Sequence, residues 1–139
     1  VEGCAPRDAV VHGPRTTLGG LLDKAHEAEL RGDDDGTFTL PPRLRELLEG
    51  GPEALERPCC LLYSTDTVGG NSGSPVLDSD GDLVAINFDR ARGGLMNEFA
   101  WSQELSRSIG VDVRLMLWLV GTFDGASDLV AEMTAESKS

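Results

Sequence analysis

Positive charge is scarce in this sequence. Twelve lysine and arginine residues face 24 aspartate and glutamate residues in 139 positions, which gives a formal net charge of −12. Nucleic-acid binding needs a basic face that can approach the phosphates, so a nucleic-acid partner is disfavoured. The acidic excess by itself indicates only a well-solvated surface.

Long apolar runs are also absent. The sequence begins at Val1, without an initiator methionine and without a charged segment followed by an apolar one, so we expect no signal peptide within it. No stretch stays apolar for the roughly 20 residues that a membrane-spanning helix needs. A chain of 139 residues predicts one modest domain.

Cysteine is too sparse to predict a metal site. The three cysteines, Cys4, Cys59 and Cys60, do not have the spacing of metal ligands. Adjacent residues of a strand point to opposite faces, so we expect Cys59 and Cys60 to be two separate buried thiols rather than a pair. A bond from Cys4 to either of them stays open.

The first third of the chain predicts two short helices. Thr16 or Thr17 can cap the first helix, which the run 31–36 ends, and Pro41-Pro42 opens the second, which Gly50-Gly51 ends. Apolar residues recur at helical spacing at Leu18, Leu21, Leu22 and Ala25, and again at Leu44, Leu47 and Leu48. Residues 1–57 are therefore interpreted as a connecting and short helical segment, with too few apolar positions for a core of its own.

From Cys59 onwards the pattern changes to strands. The predicted strands are 59–65, which should be buried, 76–78, 83–88, a short one at 98–101 and an alternating one at 109–113. Residues 79–82 have the composition of a hairpin turn. Residues 115–120 are apolar almost all round and predict a buried helix that ends at Asp124-Gly125, with a last amphipathic helix at 126–133. The whole predicts a mainly β fold with flanking helices.

A glycine-rich loop between two of these strands carries the strongest functional signal. It reads Gly-Gly-Asn-Ser-Gly-Ser-Pro from Gly69 to Pro75, and its small residues let backbone N–H groups approach a bound atom closely. A phosphate-binding loop would need Lys-Ser/Thr opening a helix. A hydrolase elbow would need glycine where Ser74 stands, and a helix after it. What remains is the loop that presents serine between two strands in trypsin-like serine peptidases.

This loop and its flanking blocks resemble the bacterial S46 dipeptidyl peptidases. The specific blocks are 65–77, 86–90 and 107–114, a weaker one is 13–20, and the likeness runs from about Gly13 to Met133. Members of that family are far longer, so the resemblance implies a C-terminal piece of a larger enzyme. It also implies that residues 58–139 form a portion of the second barrel of a chymotrypsin-like double β-barrel, with C-terminal helices.

The resemblance implies a role for each residue of the candidate site. Ser72 would be the nucleophile, and the N–H groups of Gly70 and Ser72 would form the oxyanion hole. Asp89 would bind the α-ammonium group of the substrate. Arg90 would offer a guanidinium fork to Asp or Glu at P1, the substrate residue before the cleaved bond. Arg92 could supplement or replace Arg90.

A serine nucleophile needs a base, and neither histidine of this chain suits that role. His12 and His26 precede the strands around Ser72 by too little chain to hold a first barrel, so each is expected to be structural or solvent-exposed. The resemblance implies that the catalytic His and Asp lie upstream of this sequence. We therefore expect this chain alone to be nearly inactive.

Further expectations follow from the resemblance. Digestive trypsin-like enzymes have Asp at the position of Asn71, where it pairs with the new N-terminal amine after activation cleavage. Because Asn carries no charge, we expect no proteolytic activation here. Ser74 is expected to support the loop by hydrogen bonding. No metal or organic cofactor is implied. The implied partners are peptides with a free N-terminus, the upstream part of the same polypeptide and a second copy in a homodimer, in the periplasm or cell envelope. Two alternatives stay open, namely a serine endopeptidase of the same clan and a non-catalytic domain or pseudoenzyme.

Overall fold

The structure, a computed structural model, describes residues 17–32 and 36–135. The predictions for Cys4, His12 and Thr16 therefore lie outside the described residues, as do three positions of the run 31–36 and the last four residues of the chain.

The first helix, α1, spans Leu18–Arg31 and has the predicted cap. The Thr17 hydroxyl accepts a hydrogen bond from the Gly20 amide at 3.5 Å, which satisfies one of the unpaired N–H groups of the first turn. The helix ends at Gly32, whose φ of +71° is a left-handed conformation that favours glycine. Its buried residues are Leu18, Gly20, Leu22, Ala25 and Ala28.

Two proline-initiated helices follow. The predicted helix α2 spans Pro42–Gly50 and buries Leu44 and Leu48. A further single-turn helix, α3, spans Pro52–Leu55. Proline suits the first position of both because the N–H that it lacks would have no partner inside the helix. The sequence did not predict α3, because four residues are too few for a periodic apolar pattern.

Four antiparallel strands form one sheet in the order β1-β4-β3-β2. Their bounds are β1 Cys60–Tyr63, β2 Pro75–Leu77, β3 Leu83–Arg90 and β4 Ser108–Asp112. The predicted hairpin joins β2 to β3, and Asp78 closes it. The Asp78 carboxylate accepts hydrogen bonds from the amides of Asp80 and Asp82, at 2.9 and 3.0 Å.

One strand prediction was correct only in part, and another was wrong. The strand predicted at 59–65 is the edge strand β1, which is shorter than expected and only partly buried, with Leu62 44% exposed. The strand predicted at 98–101 does not form. A 3₁₀ helix occupies Arg92–Glu98, and the amides of Phe99 and Ala100 then both donate to the Met96 carbonyl, so the chain turns there.

The main hydrophobic core lies beside the sheet, between the N-terminal helices and the C-terminal ones. Helix α4 spans Val113–Trp118, a π-helical turn spans Leu119–Phe123, and α5 spans Ser127–Met133. The buried cluster comprises Leu18, Leu22, Ala25, Leu40, Leu44, Leu48, Ala54 and Leu115. The first third thus supplies most of this core, although it needs α4 to close it.

The prediction of a fully buried helix at 115–120 was wrong. Of α4 only Leu115 is buried, and Met116 is 38% exposed. Trp118 at the end of α4 and Leu119 after it are half-buried, and both pack against the core cluster. An apolar pattern all round a helix does not specify full burial when one side of the helix has no neighbour in the described part of the chain.

Cys59 and Cys60 are separate free thiols, as predicted, but they are half-buried rather than fully buried. Desolvation raises the pKa of Cys59 to about 11, with smaller effects from Cys60 and Asp112. Burial also raises the pKa of Cys60. Both thiols are therefore protonated at neutral pH and are poor nucleophiles.

The predicted sheet with flanking helices is confirmed as an antiparallel sheet with helices beside it. The prediction of a mainly β fold was wrong, because more of the described residues lie in helices than in strands. Within the described residues the sheet is open, with β1 and β2 at its two edges, and does not close into a barrel. Among the same residues, no helix has the length and apolar character that crossing a membrane requires.

Candidate active site

The glycine-rich loop between β1 and β2 has glycine at two positions whose backbone conformation needs it. Gly70 and Gly73 adopt φ angles of +98° and +88°, which side chains with a Cβ rarely tolerate. Between them, Asn71 closes a turn. Its Oδ1 accepts a hydrogen bond from the Val68 amide at 2.8 Å, and its own amide donates to the Val68 carbonyl at 3.2 Å. These contacts present Ser72 at the tip of the loop.

Asn87 of β3 fastens this loop to the sheet. The Gly73 amide donates to the Asn87 carbonyl at 2.8 Å, and the Asn87 amide donates to the Ser74 carbonyl at 2.9 Å. The Asn87 side chain, 5% exposed, donates from Nδ2 to the Asn71 carbonyl at 3.1 Å and accepts from the Tyr63 hydroxyl at 2.6 Å. One buried amide side chain thus links the glycine-rich loop to two strands.

Sequence reasoning missed Asn87 and Tyr63. A signal existed, because Asn87 is a polar residue inside the apolar run of β3 and buried polar groups need partners. The identity of those partners depended on strand pairing, which the sequence alone does not fix.

Ser72 is exposed and lies against a β-bulge. Asn87 pairs with Gly110 and Asp89 with Ile109, so Phe88 has no partner across the ladder. Bulges re-aim side chains and often occur next to active sites. The Ser72 hydroxyl donates to the carbonyl oxygen of this bulged Phe88 at 3.3 Å. The predicted nucleophile therefore stands beside the strand end that carries the predicted specificity residues.

An open pocket of about 160 Å³ joins these residues. Its lining comprises Thr67, Val68, Gly69, Ser72, Asn87, Phe88, Asp89 and Arg90. Three of the predicted site residues, Ser72, Asp89 and Arg90, thus share one pocket. Gly70 lies on the loop beside it and is not part of the lining.

The amides of the loop alternate in their hydrogen bonding. The Asn71 and Gly73 amides donate to backbone carbonyls, at 3.2 and 2.8 Å. The amides of Gly70 and Ser72 donate to no other residue in the described part of the chain. Two unengaged N–H groups beside a serine hydroxyl are what an oxyanion hole requires.

Arg90 is held by an acidic residue that sequence reasoning did not single out. Its side chain is 20% exposed, and Nη2 donates to Glu98 Oε1 at 2.6 Å. Nη1 donates to the Thr67 carbonyl at 3.3 Å. Glu98 Oε1 also accepts from the Gly69 amide at 3.1 Å. The Arg90 hydrogen bond, followed by that of the Gly69 amide, lowers the pKa of Glu98.

Asp89 and Arg92 differ in their position relative to the pocket. Asp89 is exposed in the lining, and its Oδ1 accepts from the Arg90 amide at 2.8 Å. Arg92 begins the 3₁₀ helix and does not line the pocket. The structure therefore favours Arg90 over Arg92 as the cation of this pocket.

No histidine of the described residues lines the pocket with Ser72. His26 is the histidine that they include, and its Nε2 lies 3.5 Å from Glu49 Oε1, between α1 and α2. Its side chain is 47% exposed and is not part of the pocket. This position agrees with the prediction that His26 is structural or solvent-exposed. Within residues 17–32 and 36–135, no three His, Cys, Asp or Glu side chains form a metal-binding group.

Comparison with known proteins connects this arrangement to one family. The family model of peptidase S46 matches residues 1–135. An Asp/Glu-specific dipeptidyl-peptidase of Capnocytophaga gingivalis is 37% identical over 139 residues, which cover 96% of this chain and 19% of the relative. A dipeptidyl-peptidase 7 of Phocaeicola vulgatus is 34% identical over 140 residues, with the same two coverages of 96% and 19%.

Solved structures agree with these relatives. A crystal structure of Porphyromonas endodontalis DPP11 in complex with substrate matches with a TM-score of 0.72 at 29% identity, covering 99% of this chain and 20% of that one. A second, of the same protein with the dipeptide Arg-Asp, has a TM-score of 0.71 at 30% identity and covers 95% and 19%. The chain therefore spans about a fifth of the length of the relatives that it matches.

Proposed function

Because the chain belongs to the peptidase S46 family, we propose that it carries the nucleophile and the P1 pocket of a serine dipeptidyl peptidase that prefers Asp or Glu at P1. The observation that carries this proposal is the single pocket shared by Ser72, Asp89 and Arg90. It combines a hydroxyl nucleophile, a carboxylate for a substrate ammonium group and a guanidinium for a substrate carboxylate.

In the proposed reaction, Ser72 Oγ attacks the carbonyl carbon after the second substrate residue. The hydroxyl proton passes to a general base from the upstream part of the polypeptide, and the carbonyl oxygen becomes an oxyanion facing the Gly70 and Ser72 amides. Collapse of this intermediate breaks the peptide bond, and the base returns the proton to the leaving amine. Water then hydrolyses the acyl-enzyme and releases the dipeptide.

Arg90 supports the acidic preference. Relatives named Asp/Glu-specific and relatives named dipeptidyl-peptidase 7 are almost equally similar to this chain, so overall similarity does not decide the P1 residue. The family resemblance implies that glycine at the position of Arg90 would leave an open pocket for apolar side chains, whereas arginine offers a carboxylate two parallel N–H donors. Arg90 of this chain lines the pocket, which supports recognition of Asp or Glu.

The longer protein would supply what this chain lacks. We propose that the open sheet joins further strands as part of the second barrel of a chymotrypsin-like fold, and that the catalytic His and Asp come from upstream. The exposed edge strands support this proposal, since unpaired edges are normally covered. A homodimer in the periplasm or cell envelope belongs to the same proposal and rests on family resemblance.

Covalent labelling of the full-length enzyme tests the nucleophile. A fluorophosphonate probe should label the wild type and the Ser74→Ala variant, because Ser74 contributes its backbone to the loop. The Ser72→Ala variant should not be labelled. Labelling that survives in Ser72→Ala and disappears in Ser74→Ala would show that Ser74 is the nucleophile and would refute the assignment of Ser72.

One observation favours a second candidate, a non-catalytic binding domain. The Ser72 hydroxyl donates to the Phe88 carbonyl, and the described residues contain no base in contact with it. A full-length protein that folds, binds acidic dipeptides and neither reacts with the probe nor cleaves any dipeptide substrate would establish this alternative.

A further inference from the structure

Glu98 is an exposed residue next to the pocket lining rather than part of it. It is the last residue of the 3₁₀ helix, and it does not belong to the pocket lining. Its Oε1 accepts two hydrogen bonds, from Arg90 Nη2 at 2.6 Å and from the Gly69 amide at 3.1 Å. A single carboxylate oxygen thus connects the cation of the P1 pocket to the first residue of the nucleophile loop.

The segment that carries Glu98 is itself anchored. The preceding residue, Asn97, is 6% exposed and donates from Nδ2 to the Thr67 carbonyl at 3.2 Å, the same carbonyl that accepts from Arg90 Nη1. Asn97 Oδ1 accepts from the buried Ser106 hydroxyl at 2.6 Å. The backbone beside Glu98 is therefore fixed against the loop, which distinguishes the Arg90–Glu98 pair from an isolated surface ion pair.

A long arginine side chain loses much rotamer freedom when it is held in one place. Hydrogen bonds to Glu98 and to the Thr67 carbonyl hold the two terminal nitrogens of the Arg90 guanidinium before a substrate arrives. We propose that Glu98 is a positioning residue for P1 selection, which acts through Arg90 by fixing its guanidinium against the pocket. This inference rests on the proposed role of Arg90.

The test compares two substrates that differ only in charge. Fluorogenic dipeptides with Glu or Gln at P1 have nearly the same shape, so the ratio of their kcat/KM values in the full-length enzyme reports the contribution of Arg90. In Glu98→Ala we expect this ratio to fall about tenfold, with cleavage of a Leu-P1 substrate changed less than twofold. Glu98→Gln keeps an acceptor oxygen for both donors, so its ratio should stay within about threefold of the wild type.

Two controls complete the design. Glu104→Ala removes an exposed acidic residue from the segment that follows the 3₁₀ helix, and the ratio should not change. Glu98→Ala introduced into an Arg90→Gly background should not change the Glu-to-Gln ratio further, because Glu98 affects this ratio only through Arg90.

The outcomes separate this inference from the proposed function. If Arg90→Gly collapses the ratio and Glu98→Ala does not, the role of Glu98 is refuted while the P1 pocket stands. An equal loss for Glu, Gln and Leu substrates also refutes it, because that pattern means that Glu98 supports only the loop. If the wild type itself shows no preference for Glu over Gln, the proposed role of Arg90 fails, and the role of Glu98 fails with it.

Discussion

At the scale of single residues, the loop that carries Ser72, the proposed nucleophile, has glycines in left-handed conformations. Gly70 has a φ of +98°, and a Cβ added there would meet no atom within 4 Å. A substitution would therefore be opposed by backbone conformation rather than by a steric clash. Because the Gly70 amide is one of the two proposed oxyanion donors, a shift in this backbone should affect catalysis more than stability.

Replacing Gly70 with alanine tests this expectation. The variant should lose about 1–2 kcal/mol of stability, and its kcat should fall by up to about 10²–10³-fold as the donor moves away from the oxyanion. Gly81→Ala is the matched control, because Gly81 has a similar φ of +90° in the distant hairpin turn. Steady-state kinetics measure kcat and thermal melts measure stability for both full-length variants. Equal losses of kcat would contradict the assignment of the oxyanion hole.

Asp89→Asn tests recognition of the substrate N-terminus. Removing the carboxylate charge should lower kcat/KM for peptides with a free α-ammonium group by about one to two decades, the usual effect of losing a charge-assisted contact of about 1.5–3 kcal/mol. Hydrolysis of N-acetylated peptides provides the comparison. If the wild type cleaves acetylated and free peptides equally well, the enzyme is an endopeptidase and Asp89 has another role.

At the scale of elements, the sequence predicted what depends on local chemistry. The Thr17 cap, the end of α1 at Gly32 and the hairpin closed by Asp78 all follow from neighbouring residues. The bulge at Phe88 and the 3₁₀ helix at Arg92–Glu98 were not predicted. Both depend on contacts between segments distant in sequence, and both position the site, so the sequence identified Arg90 without its partner Glu98.

Gly110 of strand β4 lies against Ala85 and Tyr63, and Tyr63 in turn contacts Asn87. A Cβ added there would lie 2.9 Å from Ala85 Cβ and 3.0 Å from the Tyr63 hydroxyl oxygen. Gly110→Ala should therefore displace Tyr63 from Asn87 and loosen the nucleophile loop, with a fall in both stability and kcat. Tyr63→Phe removes the same hydrogen bond without the clash and should cost about 1–3 kcal/mol. If Gly110→Ala and Tyr63→Phe still fold and both keep the kcat of the wild type, Asn87 does not anchor the loop.

The start of α4 predicts a pH-dependent stability. Asp112 is buried, and its carboxylate accepts from Arg114 Nη2 at 2.6 Å, Arg114 Nε at 3.0 Å and the Arg114 amide at 2.8 Å. The hydrogen bonds of the Arg114 side chain are the main cause of a lowered pKa for Asp112. The folded state therefore holds this proton less tightly than the unfolded state, and stability rises with pH.

We expect Asp112→Asn to be less stable than the wild type by about 1.5–3 kcal/mol at pH 7. This difference should be complete above the ordinary aspartate pKa of about 4 and should disappear as the pH falls through the lower folded value. Chemical unfolding of the full-length enzyme between pH 3 and 7 measures it, with Asp128→Asn at the exposed start of α5 as the control. A difference that is independent of pH would contradict the account.

At the scale of the whole molecule, the chain combines a helical core with an open sheet that carries the candidate site. The core packs α1–α3 against α4, and the sheet carries the pocket beside it. The sequence predicted that the first third could not form a core of its own but did not identify its partner, because Leu115 of α4, which completes the cluster, is distant in sequence. The glycine-rich loop that the sequence singled out lines the pocket through Gly69 and Ser72, and its glycines and serine are signals that the local sequence provides. Its role as the nucleophile loop stays a prediction.

The central claim is that Arg90 selects acidic residues at P1. The most direct measurement is kcat/KM of the full-length enzyme on fluorogenic dipeptides with Asp, Glu, Leu or Lys at P1, for wild type, Arg90→Gly and the control Arg92→Gly. The account predicts a strong acidic preference that falls by about one to two decades in Arg90→Gly and persists in Arg92→Gly. An apolar preference in both wild type and Arg90→Gly would contradict it.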